Sequence, residues 1–185
     1  AAYAIAEHVG GSQEAFAKMM NDKAKSIGMK NTVFSNSSGL DEFDGGNRST
    51  VYDMALCMNE AMKNPIFRII VNTKQYKAEN NRVWINKNRL LKMYEYANGG
   101  KTGYTDNAKY CLTATAKKNN IRFITVVMGV DTSEHRSADT TSMLNYGFTN
   151  YKLNTIVKRE DKVAKLKPAF KKDGIVTAAN ASGIN

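Results

Sequence analysis

Histidine and cysteine are scarce in this 185-residue chain, with two of each, and long apolar runs are missing. With only His8 and His135 available, a histidine-based metal site is not expected, and no cofactor is implied. Cys57 falls in a helical pattern and Cys111 in a strand pattern, far apart, so buried free thiols are a simpler reading than a disulfide. The longest nearly apolar stretch, Ile121 to Val130, is broken by Arg122 and falls far short of a membrane-spanning helix. Basic residues outnumber acidic ones, 27 against 17, for a net charge of +10, yet no basic run exceeds two residues in a row. That scatter, without finger spacing or an RNA-binding signature, argues against nucleic acid and describes a solvated basic surface. What is present is an ordinary globular composition, 42% hydrophobic, which argues against disorder.

The chain opens in a helical-looking segment, Ala1 to Val9, with no capping residue and no signal-peptide pattern, from which truncation is expected. Gly10-Gly11 breaks it, and Ser12 can cap a second helix. In that helix Phe16, Met19, Met20, Ala24 and Ile27 recur at helical spacing, with Gly28 as the stop. Asn31 to Phe34 read as extended, Asn36 to Gly39 as a turn and Asp41 to Asn47 as a loop. Thr50 can cap a further helix whose Val51, Met54, Ala55, Met58 and Met62 share a face, with Pro65 closing it. The periodicity then changes. Val83 to Ile85, Tyr110 to Ala116 and Ile121 to Val130 are β-prone, and Lys118-Asn119-Asn120 predicts a hairpin turn between the last two. Ser133 is expected to cap a helix with an apolar face of Met143, Leu144 and Phe148. From Lys152 the texture shifts to short Lys-rich segments, which puts a domain boundary near residue 152, and Ala178 to Asn185 reads as a frayed tail or part of a strand. Helices, then an antiparallel strand pair, then a helix indicate an α+β fold rather than a parallel βαβ array.

One motif carries chemistry: Gly99-Gly100-Lys101-Thr102-Gly103-Tyr104-Thr105, immediately before the strand pair. A Lys-Thr-Gly triplet alone is a weak signal, but its logic is sound. Lys101 offers an ammonium, Thr102 a hydroxyl, and Gly103 lets a substrate backbone approach a strand edge. Other segments add to it: Glu7-His8-Val9-Gly10-Gly11-Ser12, Met20-Asn21-Asp22-Lys23-Ala24-Lys25, and Gly28-Met29-Lys30-Asn31-Thr32. So do Phe34-Ser35-Asn36-Ser37-Ser38-Gly39-Leu40, Ser49-Thr50-Val51-Tyr52-Asp53-Met54-Ala55 and Asn86-Lys87-Asn88-Arg89-Leu90-Leu91. Met128-Gly129-Val130, Arg136 and Asn145-Tyr146-Gly147-Phe148 complete the set. Together they resemble the low-molecular-mass D-alanyl-D-alanine carboxypeptidases, a family of penicillin-binding serine peptidases, in one register from residue 1 to about 153.

The resemblance implies the C-terminal part of a penicillin-binding, β-lactamase-like transpeptidase domain over residues 1–152, an antiparallel sheet flanked by helices. Residues 153–185 then begin a small β-rich domain. It implies an extracytoplasmic bacterial enzyme of the cell envelope that removes the terminal D-alanine of peptidoglycan stem peptides through an acyl-enzyme and binds β-lactams. The family needs Ser-x-x-Lys for its nucleophile and lysine base, and Ser-x-Asn. No serine of this chain begins either motif, so no catalytic nucleophile lies in it. The chain alone is expected to be inactive, with the N-terminal part supplied by another chain or through a swapped homo-oligomer. By the same resemblance Lys101, Thr102, Gly103, Thr105 and Arg136 bind substrate, and the Tyr104 N–H forms half of an oxyanion hole. A serine β-lactamase is the nearest alternative, although the Glu-x-x-Leu-Asn motif of many is absent. A non-catalytic peptidoglycan-binding module is the alternative of a different class.

Overall fold

The computed structural model describes residues 1–41 and 46–154, together with two strands at 162–166 and 176–179. Contacts divide it into two units, Ala1–Phe148 and Thr149–Asn185. The first unit begins with α1 (Ala2–Gly10) and α2 (Gln13–Ser26). The break between them is made by Gly11 at φ 81°, a left-handed position that glycine takes without strain. The Ser12 hydroxyl then accepts the Ala15 N–H at 3.1 Å, the expected cap of α2. Buried positions of α2 are Ala17 and Ala24, whereas Met19 of the anticipated stripe is exposed.

Residues 29–41 run as irregular chain, tied by an isolated antiparallel bridge between Val33 and Arg48; of the anticipated 41–47 loop, residues 42–45 lie outside the described residues. α3 (Val51–Ala61) starts at Thr50, whose hydroxyl accepts the Asp53 N–H at 3.2 Å. Asp53 itself is buried, and its Oδ2 accepts from Asn31 N at 2.8 Å and Thr32 Oγ1 at 2.7 Å. That carboxylate fastens the start of α3 to the preceding chain. Pro65, expected to close this helix, instead opens α4 (Pro65–Asn72) at its first turn. There a proline loses no helical hydrogen bond, and Asn64 supplies the cap by accepting from Ile66 N at 2.9 Å.

A small hairpin follows, β1 (Gln75–Lys77) against β2 (Val83–Ile85), and then the short α5 (Leu90–Met93). The main sheet is a three-stranded antiparallel meander of β3 (Ala97–Thr105), β4 (Lys109–Lys118) and β5 (Ile121–Val130), in that spatial order. The strand that carries Lys101 does not pair with Ile121–Val130: β4 lies between them, pairing Lys101 with Thr113 and Thr113 with Val126. The β4–β5 turn is the predicted one. Asn119 and Asn120 both take positive φ, 49° and 65°, as a two-residue hairpin requires and asparagine tolerates.

Alternation along β4 sorts the core. Leu112, Ala114 and Ala116 join Leu90 of α5 and Leu144 in one buried cluster, with Tyr94, Tyr96, Phe123 and Phe148 around it. On the other side Met58 and Met62, from α3 and just beyond it, pack with Val71 of α4, Phe67 and Ile124. Leu144 and Phe148 belong to α6 (Ser133–Asn150). Ser133 does not cap α6: Thr132 does, its hydroxyl accepting the His135 N–H at 3.1 Å. Met143, expected on the apolar face, is exposed, and the buried face is completed by Arg136, Ser137, Thr140 and Gly147. The second unit carries a single described hairpin, β6 (Lys162–Leu166) antiparallel to β7 (Val176–Ala179). The anticipated tail beyond Ala179 lies outside the described residues.

Candidate active site

Among the described residues β3 is an edge strand, and its open side faces a cleft of about 1110 Å³. Lys101, Thr102, Gly103 and Tyr104 line it from β3, Tyr110 from β4, and Ser133 and Arg136 from α6. The far wall is the 38–40 segment together with Ile85, Asn86 and Lys87, and α5 and its cap contribute Arg89 and Lys92. Five of the six predicted site residues therefore share one cleft. Thr105 is not among its lining residues; its hydroxyl accepts the Ala108 N–H at 3.0 Å and shapes the β3–β4 turn.

Two glycines let the strand take its course. A Cβ on Gly99 would stand 2.7 Å from the Val71 side chain, and one on Gly100, at φ 147°, only 2.6 Å from the Thr113 carbonyl. Both residues are buried, and β3 shifts register between Ala97 and Gly99. Their surroundings are set by a pair of asparagines. Asn86 donates from Nδ2 to the Thr73 carbonyl at 3.0 Å and accepts the Asn88 N–H on Oδ1 at 2.9 Å. Asn88, fully enclosed, accepts the Leu90 N–H on Oδ1 at 3.2 Å and turns its Nδ2 to the Gly99 carbonyl at 3.5 Å.

The electrostatics of the cleft are one-sided: every charged side chain lining it is a cation. Lys101 donates from Nζ to the Thr102 carbonyl. Although the residue as a whole is exposed, partial burial of its ammonium, and after it the charge of Lys87, hold its pKa below the ordinary lysine value. Arg136 is 7% exposed, its guanidinium stacks 5.6 Å over the Tyr110 ring, and its Nε has no hydrogen-bond partner. Burial, then Arg89, push its pKa down, with Tyr110 opposing. Among the described residues no carboxylate pairs with Lys87, Lys101 or Arg136. Buried or crowded cations without counter-ions are an arrangement made for an anion from outside. Tyr104 stacks on Tyr110 with centroids 4.5 Å apart and donates to Asp106 at 3.1 Å.

Sequence reasoning gave no site role to Lys87, Lys92, Tyr110 or the 38–40 wall, although Lys87 and residues 38–40 lie in segments that carry the family resemblance. The signal for the wall was available in its Asn-Ser-Ser-Gly run. Asn36 is buried, its Oδ1 accepts the Gly39 N–H at 2.8 Å, and its Nδ2 donates to the Leu40 carbonyl at 3.1 Å. Among the described residues no three His, Cys, Asp or Glu side chains gather to hold a metal.

Comparisons with known proteins point to one family. The family profile described as D-alanyl-D-alanine carboxypeptidase matches residues 1–132. The D-alanyl-D-alanine carboxypeptidase DacF of Bacillus subtilis is 46% identical over 171 residues, covering 90% of this chain and 43% of that protein. DacC of Escherichia coli is 36% identical over 160 residues, covering 85% of this chain and 39% of that protein. The chain therefore spans less than half the length of these two relatives. Among solved structures, the D-alanyl-D-alanine carboxypeptidase DacD of Francisella tularensis superposes with a TM-score of 0.78 at 26% identity, covering 99% of this chain and 57% of that one. Penicillin-binding protein D2 of Listeria monocytogenes, in its cefotaxime-bound form, gives 0.74 at 30% identity, covering 80% of this chain and 60% of that one. The architecture is that of these enzymes.

Proposed function

The chain belongs to the D-alanyl-D-alanine carboxypeptidase family, and on that premise we propose that it forms the substrate-binding side of the active site of a serine carboxypeptidase of peptidoglycan. The observation that carries the reading is the meeting of Lys101 and Thr102, on an edge strand, with the buried, unpaired Arg136 across one cationic cleft. A peptide ending in D-Ala-D-Ala lies along β3. Its terminal carboxylate accepts hydrogen bonds from Thr102 and Arg136 and feels the charge of Lys101. Thr105, outside the cleft lining, supports the site indirectly: its hydroxyl accepts from Ala108 and holds the β3–β4 turn. Gly103, without a side chain, leaves the strand edge open for backbone pairing. The N–H of Tyr104 points at the oxygen of the penultimate carbonyl as negative charge builds on it during attack, one of the two donors of an oxyanion hole.

The nucleophilic serine and its lysine base come from a segment outside these residues, since no serine here is followed three places on by lysine. In the full-length protein that serine attacks the penultimate carbonyl, D-alanine leaves, and water hydrolyses the acyl-enzyme. β-Lactams enter the same cleft by presenting their carboxylate to the same cations. An enzyme of this kind works on the outer side of the cytoplasmic membrane, in the cell envelope, where its basic surface faces anionic wall polymers.

Labelled penicillin and mass spectrometry test the reading. The full-length protein should acquire one covalent adduct and release D-alanine from D-Ala-D-Ala peptides, and the 185-residue chain alone should acquire none. Arg136→Ala should cut kcat/KM by about 100-fold, as loss of a charged contact to the reacting end of the substrate does. A full-length protein that binds these peptides but releases no D-alanine would make it a binding module.

A further inference from the structure

Strand β3 emerges into the cleft at Lys101. The two residues before it, Gly99 and Gly100, are buried, and the cleft wall there is formed by Asn86 and Lys87, with the enclosed Asn88 behind them. This 86–88 turn is held from both sides, by the Asn86 bond to the Thr73 carbonyl at 3.0 Å and by Asn88, which faces the Gly99 carbonyl at 3.5 Å. A side cavity of about 270 Å³ opens there, lined by Ile70 and Val71 of α4 with Asn86, Lys87, Gly100, Lys101 and Thr102. A ligand strand paired along β3 therefore runs out of edge at Lys101, and the group waiting at that point is the unpaired ammonium of Lys87. At the opposite end of the strand charges of both signs meet: Lys109 pairs across from Thr105, beside Asp106 and Asp41, whose Oδ2 accepts the Asn107 N–H at 3.3 Å.

The geometry points to the 86–88 turn as the stop that makes this site act on chain ends, with Lys87 the residue that selects a free carboxylate there. The inference rests on the carboxypeptidase reading and deepens it. A substrate whose last residue continues into a further peptide bond would lose its charge at Lys87 and would have to leave the strand edge for the side cavity. Lys87 and Asn88 thus separate removal of a terminal D-alanine from cleavage inside a cross-linked peptide.

The full-length protein is offered two peptides of the same sequence, one ending in D-Ala-D-Ala with a free carboxylate, the other extended by one glycine on that carboxylate. The readout is the ratio of the two kcat/KM values within each variant, which cancels differences in the amount of folded enzyme. The wild type should favour the free carboxylate by about 100-fold or more, and Lys87→Ala should narrow that ratio about tenfold. Asn88→Ala, which loosens the wall, should narrow it in the same direction. Should Asn88→Ala fail to fold, Lys87→Ala decides alone. A wild type that cleaves both peptides equally, or a Lys87→Ala ratio equal to the wild-type ratio, overturns the inference while leaving the carboxypeptidase reading intact. Absence of turnover on both peptides together with absence of a penicillin adduct removes that reading, and this inference with it.

Discussion

Single residues in this protein owe their roles to what surrounds them more than to their type. Asp53 looks like a surface acid in the sequence, at the start of a helix where an acid is unremarkable. In the fold it is 1% exposed and satisfies two donors from the 31–32 segment. Asp53→Ala should therefore cost about 2–3 kcal/mol, the penalty for stranding buried donors, readable as a lowered urea midpoint. Lys101 carries the opposite kind of information. Burial and Lys87 both disfavour its charge, so its positive form is lost at a lower pH than for an ordinary lysine. Removing Lys87 removes one of the two causes. Lys87→Ala should move the Lys101 titration upward toward the ordinary lysine range, observed through its side-chain nitrogen by NMR. A titration that stays put would mean burial alone sets the shift. Gly100→Ala meets the Thr113 carbonyl at 2.6 Å from a left-sided φ of 147°, and a loss of about 2 kcal/mol or more is expected from strain and overpacking together.

At the scale of elements, local chemistry made some of the fold legible and non-local pairing hid the rest. Ser12 and Thr50 cap helices as their hydroxyls and positions predict, and the two asparagines at 119–120 turn the hairpin. Proline misled, because the same residue that cannot continue a helix is also at home in the first turn of the next one, as Pro65 is. β3 was harder: Ala-Asn-Gly-Gly-Lys-Thr-Gly-Tyr-Thr has no apolar alternation, and non-local contacts, chiefly its pairing with β4 and the fit of Val71 against Gly99, hold it extended. The Lys-Thr-Gly residues were legible as a motif and took their roles from the family resemblance, while Lys87 and Asn88, though in a quoted segment, gained no site role because a polar turn gives no sign that one of its asparagines is buried. Ion pairing between elements adds a pH dependence. Glu60 of α3 bonds Lys23 of α2 at 2.8 Å and Lys63 at 2.7 Å, and these bonds bring its pKa from 4.5 down to about 2. A depressed carboxylate stabilises the fold above its unfolded pKa and loses that contribution as pH falls through the folded value. The α2–α3 contact should weaken between about pH 4.5 and 2, and Glu60→Gln should flatten that limb of the stability curve in acid titration followed by circular dichroism.

At the scale of the whole molecule, the described residues leave two apolar faces in water. The outer side of α4 exposes Ile66, Ile69 and Ile70, and the β1–β2 hairpin exposes Tyr76, Val83, Trp84 and Ile85, with Ile69 at 69% and Trp84 at 58%. A two-stranded hairpin is marginal without something packed on it. Each 100 Å² of apolar surface left in water forgoes about 2.5 kcal/mol, against a typical domain stability of about 5–15 kcal/mol. Relatives such as DacF are more than twice the length of the matched span, and we propose that a segment of the kind they carry outside it covers these faces. The expected behaviour of the 185-residue chain by itself is thus association, or melting well below the temperature of the full-length protein. Light scattering and thermal melting measure both. Adding a separately expressed N-terminal segment of the same protein should raise the melting temperature and suppress association, because the apolar faces gain the partner they lack. A chain that stays monomeric and melts cooperatively at ordinary temperatures would show instead that α4 and the hairpin are stable in water as they stand.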